Sequence, residues 1–341
     1  MNHLTNSRKE KGEVTIIDVW AAKKRISSLI HKTPLLESQI LTEKSGCPVY
    51  LKLENVHNTG SFKVRGAANK ILSLNENERK RGVVTFSTGN HGMAVAYVAK
   101  KLGIEAVICI SKRVPKAKVD SLKRLGAKIE IHGDSQDMAG ERCYELEREK
   151  GMTVIPPFDD PYVIAGQGTI GLELLEEIPG LSNVIIPLSG GGLLSGISLT
   201  LKSNDPGIKI TGVSMEHAAV MYESLKALKP VQLEEQNTLA DSLLGGIGLD
   251  NQYTFPMVQQ YLDDLILIPE DEIAYSMAFM MDKHRLIMEG AAATGIAALV
   301  GDHVVQQNGA IAVIISGNNV DLSVLHNIIQ DYSKKGDSKH L

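Results

Sequence analysis

Six short apolar runs, rich in β-branched residues, alternate along the chain with longer segments in which apolar residues recur at the helical period. The runs are VVTF (83–86), AVICI (106–110), KIEIH (128–132), NVIIPL (183–188), IKITGVS (208–214) and AIAVIIS (310–316). Each run is almost continuously apolar, which is typical of strands buried on both faces. The helical pattern occupies residues 91–102, 136–149 and 193–202. This alternation predicts βαβ units and a mainly parallel, three-layer α/β fold.

The composition is that of a globular protein large enough for two lobes. The chain has 341 residues, of which 43% are hydrophobic and 22% charged, and its formal net charge is −4. Because its lysines and arginines are scattered, we expect neither nucleic-acid binding nor attraction to an anionic membrane. No segment reaches about 18 uninterrupted apolar residues, and residues 1–13 lack the apolar core of a signal peptide. We therefore expect no membrane span and no secretion.

The cysteines and prolines add two further expectations. The three cysteines lie far apart, without a Cys-x-x-Cys pair, at Cys47, Cys109 and Cys143. This spacing argues against a disulfide framework or a structural zinc site and favours a reducing, cytoplasmic compartment.

Three prolines interrupt the pattern within PPFDDPY (156–162), which predicts a domain boundary. The polar ends of the chain, residues 1–14 and 326–341, are predicted to be flexible tails.

The segment SGGGLLSG (189–196) follows one predicted strand and begins a helical pattern. Its three consecutive glycines let backbone N–H groups approach an anion closely, and the helix N-terminus adds partial positive charge. A turn without a ligand needs only one glycine, so the sequence favours a phosphate site. A dinucleotide fingerprint is the competing interpretation. Its third glycine position holds Ser195, and Gly196 comes one residue late, whereas Glu216 lies near the place of a ribose-binding acid.

Three other segments carry side chains suited to chemistry, although each alone has an ordinary structural explanation. STGNHG (87–92) follows a predicted strand and has the composition of a helix N-cap. SGNN (316–319) places Ser316 at the carboxyl end of another strand, where open α/β sheets bind ligands. HNTGSFKVRGAANK (57–70) puts Lys63 at the start of a predicted helix. By itself this lysine could be a solvated charge or an amine held for covalent chemistry.

In combination and in this order, these segments resemble the fold-type II pyridoxal-phosphate enzymes, in particular the serine/threonine dehydratases and serine racemases. The resemblance covers nearly all of residues 15–325, and it is carried by LENVHNTGSFKVRGA (53–67), STGNHGMAVA (87–96), FDDPYVIAGQGTIGLELLE (158–176), SGGGLLSG (189–196) and ISGNNVDL (315–322). It implies a tryptophan synthase β-like fold of two three-layer α/β lobes with mainly parallel sheets. We expect a large domain of residues 15–81 and 159–325 and a small domain of residues 82–158.

The resemblance also implies a role for each residue of a cofactor site. Lys63 would hold pyridoxal 5'-phosphate as a Schiff base and, once released by substrate, would abstract the α-proton as a base of lowered pKa. Phe62 would pack beside the cofactor ring, Asn90 would hydrogen-bond its hydroxyl and Ser316 would meet its pyridine nitrogen. A neutral hydroxyl at that nitrogen favours prompt expulsion of a β-leaving group, because the ring then stores less negative charge. The phosphate would be held by Ser189, Gly190, Gly191, Gly192 and Leu193.

The substrate carboxylate would, by the same resemblance, bind to Ser87, Thr88, Gly89 and His91. Racemisation needs a second acid/base on the face of the cofactor opposite Lys63. The position that supplies this hydroxyl in serine racemases holds Thr88 here, so Thr88 is a second catalytic candidate. Its methyl group makes the side chain stiffer about χ1. Phe158 stands where serine racemases tend to carry a polar residue, and both features favour dehydration.

The chain departs from the family pattern at two sites. Positions that often bind a cation in the family hold Ser214, Ala218 and Val220, and Glu216 is out of register, so we expect no metal there. In the loop that usually reads Ser-Gly-Gly-Asn, Asn318 replaces a glycine, which changes the expected shape of the pocket.

We therefore expect a cytoplasmic, pyridoxal-phosphate-dependent lyase that dehydrates and deaminates a small hydroxy amino acid of the L-threonine or L-serine type to a 2-oxoacid. Residues 212–221 and 240–255 look more like a branch of the family associated with hydroxyectoine utilisation. A serine racemase is the alternative within the family, and a non-catalytic nucleotide- or ligand-binding protein is the alternative from another class. The expected partners are a small amino acid and further copies of the chain, as a homodimer or higher homo-oligomer. No C-terminal regulatory domain is expected.

Overall fold

Two sheets organise the part of the chain that the structure, a computed structural model, describes: residues 12–114, 116–305 and 308–336. The larger sheet contains β1 (Leu35–Glu37), β2 (Val49–Leu53), β7 (Leu181–Pro187), β8 (Lys209–Met215), β9 (Asp264–Ile268) and β10 (Ala310–Ile315). The smaller sheet contains β3 (Val83–Thr85), β4 (Ala106–Ile110), β5 (Lys128–Ile131) and β6 (Thr153–Val154). The strand orders are β1-β2-β10-β7-β8-β9 and β5-β4-β3-β6.

The pairing is parallel throughout both sheets except at one edge. Among the described strands, β1 alone runs antiparallel to its neighbour, β2, with Leu36 opposite Leu51. Every residue of β10 is buried, as expected for a strand in the middle of a sheet that is covered on both faces. The predicted α/β class with mainly parallel sheets is confirmed.

Fourteen helices connect and cover these strands within the described residues. They are α1 (Ile16–Ile26), α2 (Gln39–Ser45), α3 (Lys63–Ser73), α4 (Glu76–Arg81), α5 (Asn90–Leu102), α6 (Lys116–Arg124), α7 (Gln136–Lys150), α8 (Pro161–Glu177), α9 (Gly192–Asn204), α10 (Val220–Ala227), α11 (Thr254–Tyr261), α12 (Glu270–His284), α13 (Gly290–Val300) and α14 (Leu322–Gly336). No helix in this part of the chain is both long and apolar enough to cross a bilayer.

Each sheet lies between two helical layers. Along β10, Ile311 and Val313 pack with α12, α13 and α14, whereas Ala312 and Ile314 pack with α8, α9 and α11 on the other face. This alternation follows the period of two along a strand. In the smaller sheet, Ile108 of β4 packs with α3 and α5, and its neighbours along β4 pack with α7.

Glycines let α3 lie unusually close to α8. A Cβ on Gly66 would lie 2.5 Å from Gln167 Nε2, and one on Gly166 would lie 2.7 Å from the Arg65 carbonyl oxygen. Because neither helix could come so near with side chains at these positions, the glycines set the place of α3 and hence of Lys63 at its start.

The structure corrects one expectation about the ends of the chain. Helix α14 continues to Gly336, so residues 326–336, predicted as part of a flexible tail, are helical. Apolar residues on α14, among them Leu325 and Ile328, pack on the core of the larger sheet, which explains why the helix forms. Of the remaining predicted tail positions, 1–11 and 337–341 lie outside the described residues, whereas residues 12–14 precede α1 and Val14 is buried. The domain limits expected from the sequence stay a prediction.

Candidate functional site

Lys63 is the first residue of α3, and the loop before it lies against the carboxyl end of β10. The Phe62 backbone N–H donates to the Ser316 carbonyl oxygen at 3.0 Å, and Ser61 pairs with Gly317 in an isolated antiparallel bridge. These contacts make the Lys63 segment and the Ser316 segment neighbours. Ser316 itself is only 3% exposed and presents a neutral hydroxyl just beyond the strand.

The amine of Lys63 is held in a partly buried position. Its Nζ donates to the Pro157 carbonyl oxygen at 2.8 Å and lies 5.3 Å from the centroid of the Phe62 ring. Burial lowers the pKa of Lys63 to about 8, although the negative charge of Glu289 opposes this shift. A lysine of this kind is partly unprotonated near neutral pH, so it can serve as a nucleophile or a base.

The triple-glycine loop lies near this amine. Phe158 directly follows Pro157, whose carbonyl oxygen accepts from Lys63, and its ring packs against the loop. A Cβ on Gly190 would lie 2.3 Å from Phe158 Cδ1, and Gly191 has a φ of +84°. Helix α9 begins at Gly192 and leaves its first N–H groups without intrahelical partners. The loop therefore has the geometry of an anion-binding helix N-terminus.

The residues near these glycines differ in burial and packing. Ser189 is half-buried between β7 and the glycines, and Leu193 is buried against the core of the larger sheet. Gly196 approaches α8 so closely that a Cβ would lie 2.3 Å from the Ile164 carbonyl oxygen. Gly196 therefore serves helix packing rather than a dinucleotide fingerprint. Glu216, the candidate ribose-binding acid, is exposed just after β8.

Asn90, the first residue of α5, contacts the carboxylate of Glu289, which was not among the candidate site residues predicted from the sequence. Its Nδ2 donates to Glu289 Oε1 at 2.9 Å and to Oε2 at 3.1 Å. Asn90 follows a strand of the smaller sheet, whereas Glu289 precedes α13, which packs on the larger sheet. The bond thus joins the two halves of the site.

Glu289 is 3% exposed and surrounded by hydrogen-bond donors. Ser242 Oγ donates to its Oε1 at 2.6 Å, and the Asn319 backbone N–H donates to its Oε2 at 3.1 Å. Burial raises the pKa of Glu289, and the hydrogen bonds from Ser242 and Asn90 counteract that rise. In the sequence, the only signal was a single acid within the small-residue stretch MEGAAATG, which alone indicates no more than a helix start.

The three residues before Asn90 form a half-buried loop between β3 and α5: Ser87, Thr88 and Gly89. A Cβ on Gly92 would lie 1.9 Å from the Ser87 carbonyl oxygen, so this loop folds back over the first turn of α5. The N–H groups of that turn therefore lie beside the loop hydroxyls, an arrangement that suits a carboxylate ligand.

His91 makes a structural hydrogen bond. Its Nε2 donates to the Ile155 carbonyl oxygen at 2.8 Å. Burial, together with the positive charge of Lys63, lowers the pKa of His91 to about 3, so the imidazole is neutral. Its Nδ1 is then an acceptor, and it is buried without a partner among the described atoms. A carboxylate in the adjoining loop would therefore be held by backbone N–H groups and hydroxyls rather than by this imidazole.

The helix that begins with Lys63 is anchored by a buried ion network. The Arg65 guanidinium donates to Glu54 at 2.7 and 2.8 Å and to Glu173 at 2.6 and 2.9 Å. Lys52, which is fully buried, lies 2.8 Å from Glu173. Removing one partner would leave a buried charge uncompensated, at a cost of about 3–5 kcal/mol. The sequence does not indicate this network, because charged side chains are usually exposed.

Two aspartates of the FDDP segment are explained by helix capping. Asp159 accepts from the backbone N–H groups at the start of α11: those of Gln252, Tyr253 and Thr254. Asp160 accepts from the first N–H groups of α8 and pairs with Lys70 of α3. The segment thus joins Phe158, beneath the glycine loop, to three helices.

The expected lack of a metal stays a prediction. Ser214 is buried in β8, Ala218 has a φ of +56° and Val220 begins α10. Across the described ranges, no three His, Cys, Asp or Glu side chains come together as a metal site would require.

Known proteins share this architecture over most of the chain. Residues 26–317 match the family model described as pyridoxal-phosphate dependent enzyme. The chain is 39% identical to L-threonine ammonia-lyase of Thermotoga maritima, over 93% of this chain and 78% of that protein. It is 38% identical to catabolic L-threonine dehydratase TdcB of Escherichia coli, over 91% of this chain and 94% of that protein.

Among solved structures, serine racemase from Dictyostelium discoideum is similar, with a TM-score of 0.84 and 38% sequence identity. The match covers 91% of this chain and 99% of that one. Together these comparisons confirm the family resemblance that was predicted from the sequence.

Proposed function

Because the chain belongs to the family of pyridoxal-phosphate dependent enzymes, we propose that it dehydrates and deaminates a small hydroxy amino acid of the L-threonine or L-serine type. The products are a 2-oxoacid and ammonia. The observation that carries this proposal is the partly buried Lys63 amine, with a pKa lowered to about 8, beside a glycine loop that fits a phosphate. The names of the relatives from Thermotoga maritima and Escherichia coli support the choice of substrate.

The residues present fit the cofactor. Lys63 supplies the amine for its covalent attachment, and Gly190 leaves the phosphate loop free of a Cβ that would collide with Phe158. Asn90 would offer an amide N–H to the ring oxygen, and Ser316 would offer a hydroxyl to the ring nitrogen. When bound, the cofactor supplies electron withdrawal from the substrate Cα.

The protein's own part in the reaction is to hold the substrate and move its proton. The loop of Ser87, Thr88 and Gly89, with the N-terminus of α5, binds the substrate carboxylate. Lys63, whose pKa is lowered to about 8, would accept the proton from the substrate Cα and pass it to the departing β-hydroxyl, which leaves as water. A neutral hydroxyl at Ser316 would add no charge beside the ring nitrogen, which would favour loss of the β-hydroxyl over storage of negative charge.

Racemisation is the second candidate reaction, since serine racemase from Dictyostelium discoideum shares the fold at 38% identity. It requires a second acid/base opposite Lys63, and of the two hydroxyls in the half-buried loop, that of Thr88 stands at the position that supplies this group in serine racemases. The proposal favours dehydration because the threonine methyl restricts the hydroxyl.

One assay separates the two reactions. The loaded enzyme is incubated separately with L-serine, L-threonine, hydroxyaspartate and amino acids derived from hydroxyectoine. The 2-oxoacid and the D-isomer are followed together in each incubation. We expect oxoacid to form faster than D-isomer with at least one substrate. Faster formation of D-isomer would overturn the proposal, and in that case Thr88→Ala should abolish the D-isomer while it spares elimination.

We further propose a cytoplasmic homo-oligomer. In support, Ile17 and Trp20 lie one turn apart on α1 and are 75% and 53% exposed, which makes this face a candidate for burial against a second copy. Light scattering during gel filtration should give a mass of at least two chains, and Trp20→Asp should lower it. A monomeric wild type would contradict the proposal.

A further inference from the structure

A chain of hydrogen bonds with a fixed donor-to-acceptor direction links residues of the candidate site. It runs from the Thr59 carbonyl oxygen through the side-chain amides of Asn319 and Asn90 to the carboxylate of Glu289. Asn319 Nδ2 donates to the Thr59 oxygen at 2.9 Å and to Asn90 Oδ1 at 2.5 Å. Asn90 Nδ2 then donates to the two carboxylate oxygens.

The direction of this chain is set at both of its ends. A backbone carbonyl only accepts, so the amide of Asn319 must turn its nitrogen towards Thr59. The same nitrogen faces Asn90, which must therefore present its oxygen there and its nitrogen towards Glu289. An ionised carboxylate also only accepts, and it agrees with that orientation. Neither amide can exchange its oxygen and nitrogen without creating donor–donor or acceptor–acceptor contacts.

Glu289 is itself held in place from other directions. Ser242 Oγ and the Asn319 backbone N–H donate to its two oxygens. Gly317 makes room for it, because a Cβ at that position would lie 2.8 Å from the carboxylate carbon. The asparagine that departs from the family pattern, Asn318, does not join this chain. Its Oδ1 instead packs against Gly60, where a Cβ would lie only 2.5 Å from that oxygen.

We propose that Asn319 and Glu289 are positioning residues that lock the amide of Asn90, so that its second N–H is presented to the ring oxygen of the cofactor. The inference rests on the proposed role of Asn90 in cofactor binding. Asn90 Nδ2 has two hydrogens, and Glu289 occupies one direction of donation, which leaves the other for a ligand. A donor held there stabilises the ionised form of a phenolic oxygen.

The test uses the cofactor-loaded protein and two readouts, the visible absorption spectrum and the dissociation constant of pyridoxal phosphate. Asn319→Asp keeps the shape of the side chain but replaces the donor with an acceptor, so Asn90 meets an acceptor at both ends and its amide is no longer held in one orientation. Glu289→Gln replaces one of the two oxygens that accept from Asn90 with a donor, which weakens the hold on the same amide. In both variants we expect the long-wavelength band, which marks an ionised ring oxygen, to lose intensity. Affinity for pyridoxal phosphate should fall about tenfold, the effect of one lost hydrogen bond.

Two further variants make the outcome decisive. Asn58→Ala removes an exposed amide that donates to Tyr97 Oη from the loop before Lys63, and it should leave the spectrum unchanged. Asn90→Ala should shift the spectrum directly. If Asn90→Ala has no effect, the proposed role of Asn90 is wrong. If Asn90→Ala shifts the band but folded Asn319→Asp and Glu289→Gln proteins keep the wild-type spectrum and affinity, the positioning inference is overturned. Circular dichroism shows whether each variant folds. If either Asn319→Asp or Glu289→Gln fails to fold, the spectrum and affinity of the other test the positioning inference.

Discussion

Replacing Lys63 with methionine should make the cofactor-free protein more stable at neutral pH, although it removes the residue on which the proposed chemistry depends. Burial disfavours the charged amine in the folded chain and lowers its pKa from 10.5 to about 8. Methionine keeps most of the side-chain volume and carries no charge. The substitution therefore removes a cost that the folded protein bears for holding a reactive amine.

The size and the pH range of this effect follow from proton linkage. Between pH 8 and 10.5 the unfolded chain binds a proton at Lys63 that the folded chain has lost, so the free energy of unfolding rises with pH in this window. At about 1.4 kcal/mol per pH unit, the full cost below pH 8 is about 3 kcal/mol. Because the side chain is partly exposed, solvent screening reduces this to roughly 2 kcal/mol.

Urea denaturation at intervals from pH 7 to 10.5 measures the prediction. The free energy of unfolding of Lys63→Met should exceed that of the wild type by roughly 2 kcal/mol at pH 7. The two free energies should converge as the pH approaches 10.5. Lys80→Met, at an exposed position on α4, is the control, because water solvates that amine in both the folded and the unfolded chain. A constant difference between wild type and Lys63→Met across this pH range would refute the reasoning.

Substitutions at three further positions test separate parts of the site. Gly190→Ala should drive a Cβ into the Phe158 ring, destabilise the fold by about 1–3 kcal/mol in thermal unfolding and weaken binding of pyridoxal phosphate in equilibrium dialysis. Asp159→Ala should cost about 2–3 kcal/mol in the same unfolding assay, because three backbone N–H groups lose their acceptor, whereas Asp159→Asn should cost less. Ser316→Asp should slow oxoacid formation, because a carboxylate would keep the ring nitrogen protonated; unchanged kinetics would mean that Ser316 does not face that nitrogen.

Most of the strands that the sequence predicted are buried on both faces, and burial of that kind produces an apolar run. Lys128–Ile131 was predicted as well, although it lies at an edge of the smaller sheet and none of its residues is fully buried. Ala310–Ile315 lies between two covered faces and is apolar throughout, so its pattern is unambiguous. Edge strands leave weaker patterns. Leu35–Glu37 has only three residues, and none of them is fully buried. Its pairing depends on a neighbour, which a local pattern does not reveal.

The same distinction applies to the site. Glycines and loop hydroxyls at strand ends form motifs within a few residues, so Lys63 and the loop of Gly190 could be recognised from the sequence. Glu289 and Arg65 have significance only through partners that are distant along the chain. Asn90 is 199 positions from Glu289, and Glu173 is 108 positions from Arg65. No local pattern carries such contacts.

The most direct test of the central claim is to find which lysine carries the cofactor. The purified protein, loaded with pyridoxal phosphate, is reduced with borohydride, digested and mapped by mass spectrometry. The account predicts that the pyridoxyl group lies on Lys63, and that Lys63→Ala loses both this modification and oxoacid formation. A stoichiometric modification on another lysine, such as Lys52 or Lys70, or normal turnover by Lys63→Ala, would contradict it.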